Sequence, residues 1–154
     1  MGTRFLSRTV FITTLLCSTY SLANTDPLIG KWKTVDDRTG HSLADVIISK
    51  NQHNVYSAQV IEIRPLSGKE KLITCQKCTG HLKNQPMIGL TILSGLKKNP
   101  EKHNEYIEGK FLDPLSGQHY VSEAHLVQEA RYLQVRAQET DSSNVRLMTW
   151  IKVQ

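Results

Sequence analysis

Beyond residue 27 the chain alternates between apolar and polar positions with a period of two, the signature of half-buried strands. Eight runs carry it. Leu28 to Val35 opens with Gly30-Lys31-Trp32, and Ser42 to Ser49 carries Val46-Ile47-Ile48. Val55 to Ile63 sets Val55, Ile61 and Ile63 on one parity and Tyr56, Ala58 and Val60 on the other. Met87 to Leu96 is apolar and interrupted by Gly89 and Gly95. Tyr106 to Leu112 places Ile107 and Phe111 opposite Glu108 and Lys110, and Tyr120 to Val127 follows. Tyr132 to Gln138 sets Leu133, Val135 and Ala137 against Gln134, Arg136 and Gln138. Val145 to Val153 gathers Val145, Leu147, Ile151 and Val153 on one face. No stretch sustains helical periodicity over three turns.

Turn signals separate these runs: Asp36-Asp37-Arg38-Thr39-Gly40, Asn51-Gln52-His53-Asn54, Asp113-Pro114-Leu115-Ser116-Gly117 and Asp141-Ser142-Ser143-Asn144. The irregular part is Pro65 to Pro86, a length of loop that is functional or tied down in a compact domain. Eight strands with short connections and no long return predict an all-β, antiparallel, up-and-down eight-stranded barrel, because closure removes exposed edges. A β-sandwich is the alternative, but Greek keys need a long return connection.

The N-terminus changes the picture of where the domain begins. Arg4 and Arg8 precede a short apolar run from Val10 to Leu16, and Ser21-Leu22-Ala23 sets small residues at −3 and −1. This predicts a signal peptide over residues 1–23, cleavage before Asn24, one barrel domain over 24–154, and a periplasmic or secreted protein. The apolar run is too short to span a bilayer, which takes about 20 residues. After cleavage 17 basic side chains face 14 acidic ones, a net +3 with no basic cluster. With one Phe, four Tyr and two Trp left, nucleic-acid binding is not expected.

Cys75 and Cys78 remain in the mature chain, spaced C-x-x-C. In an oxidising compartment such a pair is expected to form a disulfide. The same spacing suits a redox-active pair or half of a zinc site. Zinc would need two further ligands, and only His81 is near. A thioredoxin-like site needs a βαβ pattern, which is missing. No G-x-S-x-G or S-x-x-K frames a nucleophile, and the six His are scattered. Asp36-Asp37 and Asp113 read as turn residues rather than acid–base carboxylates. Neither enzyme activity, nor a metal, nor a cofactor is expected.

Several segments together resemble one bacterial family, Domain of Unknown Function 2147. They are Gly30-Lys31-Trp32 through Gly40, Cys75-Gln76-Lys77-Cys78, Gln85-Pro86-Met87-Ile88-Gly89-Leu90, Gly109 through Tyr120, Leu133-Gln134-Val135-Arg136, and Trp150-Ile151-Lys152. The resemblance implies an exported, lipocalin-like barrel with no assigned activity. Lipocalin-like barrels pack an Arg from the last strand across the Trp of a G-x-W motif. Here the matching positions are Lys152 and Trp32, so Lys replaces the planar fork of Arg. Ala137 stands where the family tends to have Gly.

The functional expectation is a barrel that binds a small apolar or amphiphilic molecule. Leu133 and Val135 would line the interior, with Tyr120 and Arg136 placed for a head group. Strict alternation turns Arg136 outward; it stays in the candidate set because the resemblance includes it. Ala58, Gly89, Gly109 and Ala124 are small positions that point to interior room. The alternatives are an envelope protein–protein interaction module with a solid core and, less favoured, a C-x-x-C thiol oxidoreductase.

Overall fold

The computed structural model describes residues 26–36, 39–65, 68, 70–140 and 142–153. The expected signal peptide, its cleavage point, and Asp37, Arg38 and Asp141 of the expected turns lie outside the described residues. Among those residues there are eight strands: β1 (Gly30–Asp36), β2 (Ser42–Lys50), β3 (Val55–Ile63), β4 (Thr91–Lys98), β5 (Glu105–Asp113), β6 (Gln118–Val127), β7 (Tyr132–Glu139) and β8 (Val145–Lys152). A 3-10 turn spans Gly80–Leu82. Each strand pairs antiparallel with its sequence neighbour, and β8 returns to pair with β1. The result is the closed up-and-down barrel that the alternation predicts.

Inward side chains form one core. In β7, Leu133, Val135 and Ala137 are buried while Gln134, Arg136 and Gln138 are exposed. β3 and β5 are among the strands that depart from simple alternation. In β3 a bulge between Asp45 and Val46 of the partner strand leaves Ile61 as an extra residue. Ile61 therefore stays outside while Ile63 joins Tyr56, Ala58 and Val60 within. In β5 Glu108 has φ 63° at a register shift. Tyr106, Gly109 and Phe111 then face inward, and Ile107 lies on the opposite face from Phe111. In β8 the aliphatic set Val145, Leu147 and Ile151 is the outer face, and Met148 and Trp150 are buried.

Turn chemistry sets the connections. Asn51 Oδ1 accepts from the backbone N–H of His53 (2.9 Å) and Val55 (3.1 Å), and Asn54 takes φ 58°. The Gly40 N–H bonds the Asp36 carbonyl at 2.8 Å, and the Gly117 N–H bonds the Asp113 carbonyl at 2.7 Å. Gly117 is required twice: its φ is +76°, and a Cβ there would collide with the Lys77 carbonyl. The β6–β7 connection is unannounced in sequence. Gln128, Glu129 and Ala130 all adopt φ between 50° and 63°, a conformation costing roughly 1–2 kcal/mol per residue.

One end of the barrel is sealed. Trp32 is fully buried, and its indole N–H donates to the Leu28 carbonyl at 2.9 Å. Lys152 Nζ lies 4.6 Å from the Trp32 ring centroid and donates to the carbonyls of Pro27 (2.7 Å) and Ile29 (2.6 Å). The Asp26–Ile29 segment is held as a plug, with Leu28 fully buried. Asp26 accepts from the Tyr56 hydroxyl (2.7 Å) and from Lys50 (2.9 Å). The small positions near this core are already used. A Cβ on Gly109 would meet Leu96 at 2.8 Å and the Ser122 hydroxyl. Gly89 is exposed.

Two outcomes follow. Truncating a buried Trp typically costs about 3–5 kcal/mol, so Trp32→Ala should lower the melting temperature by about 10 °C or more; an unchanged thermal melt would separate Trp32 from barrel stability. The second concerns acid. Burial pushes Asp26 and Asp45 up, but hydrogen bonds and charge from Tyr56 and Lys50 on Asp26, and from Arg64 and Lys31 on Asp45, outweigh it. Both sit below the ordinary aspartate value. Groups depressed in the fold stabilise it above their unfolded pKa of about 3.9, and that contribution is lost as pH falls through the folded value. Thermal melts should therefore hold from neutral pH to about 5 and fall below about 4. Asp45→Asn should flatten the acid limb.

Candidate functional site

The opposite end of the barrel, framed by the β1–β2, β3–β4, β5–β6 and β7–β8 connections, is built around Arg146. This residue begins the inward parity of β8, followed by Met148, Trp150 and Lys152. Going round the wall in register, its inward neighbours are Ala137, Ser122 and Gly109. Three small positions leave a path for a long side chain. Arg146 Nη2 donates to Asp36 Oδ2 at 2.9 Å, and Nη1 donates to Asp113 Oδ2. Asp36 ends β1 and Asp113 ends β5, and these strands lie on opposite sides of an eight-strand barrel. The guanidinium is therefore a strut across the mouth.

The strut is largely out of solvent, with the Arg146 side chain 14% exposed and both carboxylates 8%. Burial by itself favours the neutral form of Arg146. The hydrogen bond it donates to Asp36, and the charge of Asp113 with the hydrogen bond donated to it, outweigh that and hold the guanidinium above the ordinary arginine value. Asp113 also accepts from the Leu115 N–H (3.1 Å) and the Ser116 hydroxyl (2.7 Å). Its carboxylate thus shapes the β5–β6 turn and clamps Arg146 at once.

Beside the strut is a mostly apolar recess of about 90 Å³. Val35, Ala44, Ile63, Met87, Phe111 and Met148 are among its walls, and the charged residues lining it are Asp36, Arg64, Glu70, Asp113 and Arg146. Arg64 is engaged with Asp45 (2.6 Å) and the Ser42 hydroxyl (3.1 Å).

The long β3–β4 connection supplies part of this wall. Cys75 and Cys78 form a disulfide, with Cα atoms 5.4 Å apart. Thr74 bridges Pro86, the Cys75 N–H bonds the Gln85 carbonyl (2.9 Å), and the Met87 N–H bonds the Ile73 carbonyl (2.9 Å). The knot rests on the β5–β6 turn: Cys75 Sγ is 3.7 Å from the Pro114 carbonyl, and Gly117 packs on Lys77. This positions Leu72 and Met87 over the recess. Both cysteines are buried, at 0% and 2% exposure. A sulfur so enclosed gives an attacking thiolate no access, which disfavours dithiol exchange.

The residues expected from sequence to bind a ligand do not share one site, though Val135 and Arg136 both border a groove across β5, β6, β7 and β8. Leu133 and Val135 face inward but pack in the solid core, Leu133 opposite Trp150. Tyr120 is half-buried against Phe111, ring centroids 6.2 Å apart, and borders an outer groove shared with Ser116, Glu139 and Asn144. Arg136 is on the outer face, bonded to Gln138 at 3.2 Å. None of the four lines the recess. The sequence does not single out Arg146, because the aliphatics Val145, Leu147 and Ile151 mark the other parity of β8. The available signal was an Arg in phase with Trp150. Among the described residues no three His, Cys, Asp or Glu side chains gather as a metal site.

Removing one partner of a buried ion cluster leaves uncompensated charge, at a cost of about 3–5 kcal/mol. Arg146→Met should approach that loss in chemical denaturation, while Arg146→Lys should lose less. Equal stability for Arg146→Met would show that the strut carries no net energy.

Residues 30–152 match the model of a family described as an uncharacterized protein conserved in bacteria, Domain of Unknown Function 2147. No curated protein matches the chain significantly. Among solved structures, a protein from the human pathogen Helicobacter pylori, described as belonging to the lipocalin family, is similar with a TM-score of 0.65. The two share 18% sequence identity, over 82% of this chain and 83% of that one, so the likeness is one of fold. Because the family match runs from the first residue of β1 to the last of β8, the chain belongs to the Domain of Unknown Function 2147 family.

Proposed function

We propose that this protein is an exported, non-enzymatic carrier or sensor that holds a small amphiphilic molecule at the open end of its barrel. The observation that carries the reading is the mostly apolar recess beside a buried Arg146–Asp36–Asp113 strut. An apolar cavity with a few placed polar groups is the general form of a small-molecule site. The lipocalin-family likeness supports the fold needed for it. Export rests on the sequence of residues 1–23 and fits a disulfide-bonded domain. In this reading Leu133 and Val135 serve by packing the wall behind the site, and Tyr120 borders the groove on the outer side of the strut. Arg136, on the outer face, has no part in it.

A second reading has its own observation. Val121, Val145 and Leu147 are 43–56% exposed on the outer wall of β6 and β8. Such side chains fit a protein–protein interaction module.

Methionine offers a direct test. Of the three Met in the sequence, Met87 and Met148 both line the recess, and the third is Met1. With carbon-13 methyl-labelled Met, titration with small amphiphiles such as 1-butanol should shift both recess methyls saturably. Unmoved methyls across such a panel would end the carrier reading and leave the interaction module in front.

A further inference from the structure

The recess also limits what can occupy it, and this inference rests on the carrier reading. We propose that the ligand is a compact amphiphile whose buried group is about four carbons long and whose head group is a hydrogen-bond-donating cation, a primary ammonium rather than a carboxylate. Two independent features lead there, one of size and one of charge.

Size comes first. A cavity of roughly 150 Å³ accommodates benzene with its six carbons. In proportion, the recess of about 90 Å³ takes about four non-hydrogen atoms. The interior offers no extension, because the space beyond is packed by Trp32, Trp150, Tyr106, Leu96 and Leu133, each at most 1% exposed. Gly109, the smallest position of the inner wall, is covered by Leu96 and Ser122. A long acyl chain therefore has nowhere to go, and only its first few carbons would leave water.

Charge is the second feature. Among the described residues lining the recess, Asp36, Asp113 and Glu70 oppose Arg64 and Arg146, a net −1. The two cations are already engaged. Each terminal nitrogen of Arg146 donates to a carboxylate, and Arg64 serves Asp45, Glu62 and Ser42. An anionic head group would meet Asp36 and Asp113, and both guanidinium groups already face carboxylates, although the buried Arg146 Nε has no hydrogen-bond partner. An ammonium would instead add a donor to a site richer in carboxylate oxygens, as the unequal count of acids and bases favours.

The test is a matched series on the purified protein, read at the Met87 and Met148 methyls. Primary n-alkylamines from ethyl to octyl give the length dependence. Butylamine, 1-butanol and butyrate give the head-group dependence. Affinity should rise roughly fourfold per methylene up to about butyl, the equivalent of about 0.8 kcal/mol each, and then level off. Butylamine should bind about tenfold tighter than butyrate, with 1-butanol between them, and salt should narrow the gap. Met87→Ala should move the levelling point to longer chains, and Ala44→Leu should weaken the whole series; the wild-type series stands if either variant misfolds. Affinity that climbs steadily through octyl would overturn the size assignment. Butyrate binding as tightly as butylamine would overturn the charge assignment while leaving the carrier reading in place. Failure of 1-butanol and every amine to bind would remove both.

Discussion

The structure depends on the seam where β8 pairs with β1. Seven of the eight ladders join strands adjacent in sequence, six of them across short connections and β3–β4 across the disulfide-bonded loop. Only this one brings the two ends of the domain together, from Trp32 opposite Lys152 to Asp36 opposite Met148. Until it forms, two edges expose unpaired backbone groups and the inward face of the sheet stays open. Inward positions of β8 hold the seam at both ends. At the sealed end Lys152 covers Trp32 and ties down the Asp26–Ile29 plug. At the open end Arg146 takes Asp36 of the neighbouring strand and reaches across to Asp113.

These two contacts are physically different. Lys152 combines a cation–π contact with hydrogen bonds to two carbonyls, and only one charge is partly withdrawn from water. Arg146 joins three buried charges, whose desolvation offsets most of their attraction. A cluster of that kind is a weak source of stability but a strong constraint on geometry. It links the ends of β1 and β5 across the mouth and places charge beside the apolar recess. The disulfide knot reinforces the same place. It packs on the Pro114–Gly117 turn, whose Asp113 holds the guanidinium, so the loop, the turn and the strut form one assembly.

Small residues on the inner wall do not translate into empty space. Gly109, Ser122 and Ala137 form a row of small positions, but the row accommodates Leu96 and the long Arg146 side chain. An eight-strand barrel lies at the threshold between a filled interior and a single-ligand cavity. Here both conditions occur in one molecule, filled around the two Trp and open around the strut.

The strand count and the inward set of β7 were legible in the sequence, because a period of two maps directly onto the two faces of a pleated strand. The turns begun by Asp36 and Asp113 were legible too, since Asp and Gly chemistry there is local. The facing of β3 beyond Ile61, the reversal of parity at Glu108, and the outward aliphatics of β8 were not. A bulge inserts one residue and inverts everything after it, and its position is set by the partner strand. The site was hidden for a related reason. Asp36, Asp113 and Arg146 lie far apart in sequence and carry no motif, and each is an ordinary turn or strand residue by itself. Closure of the sheet alone sets two carboxylates from opposite walls within reach of one guanidinium, and leaves an apolar recess beside them.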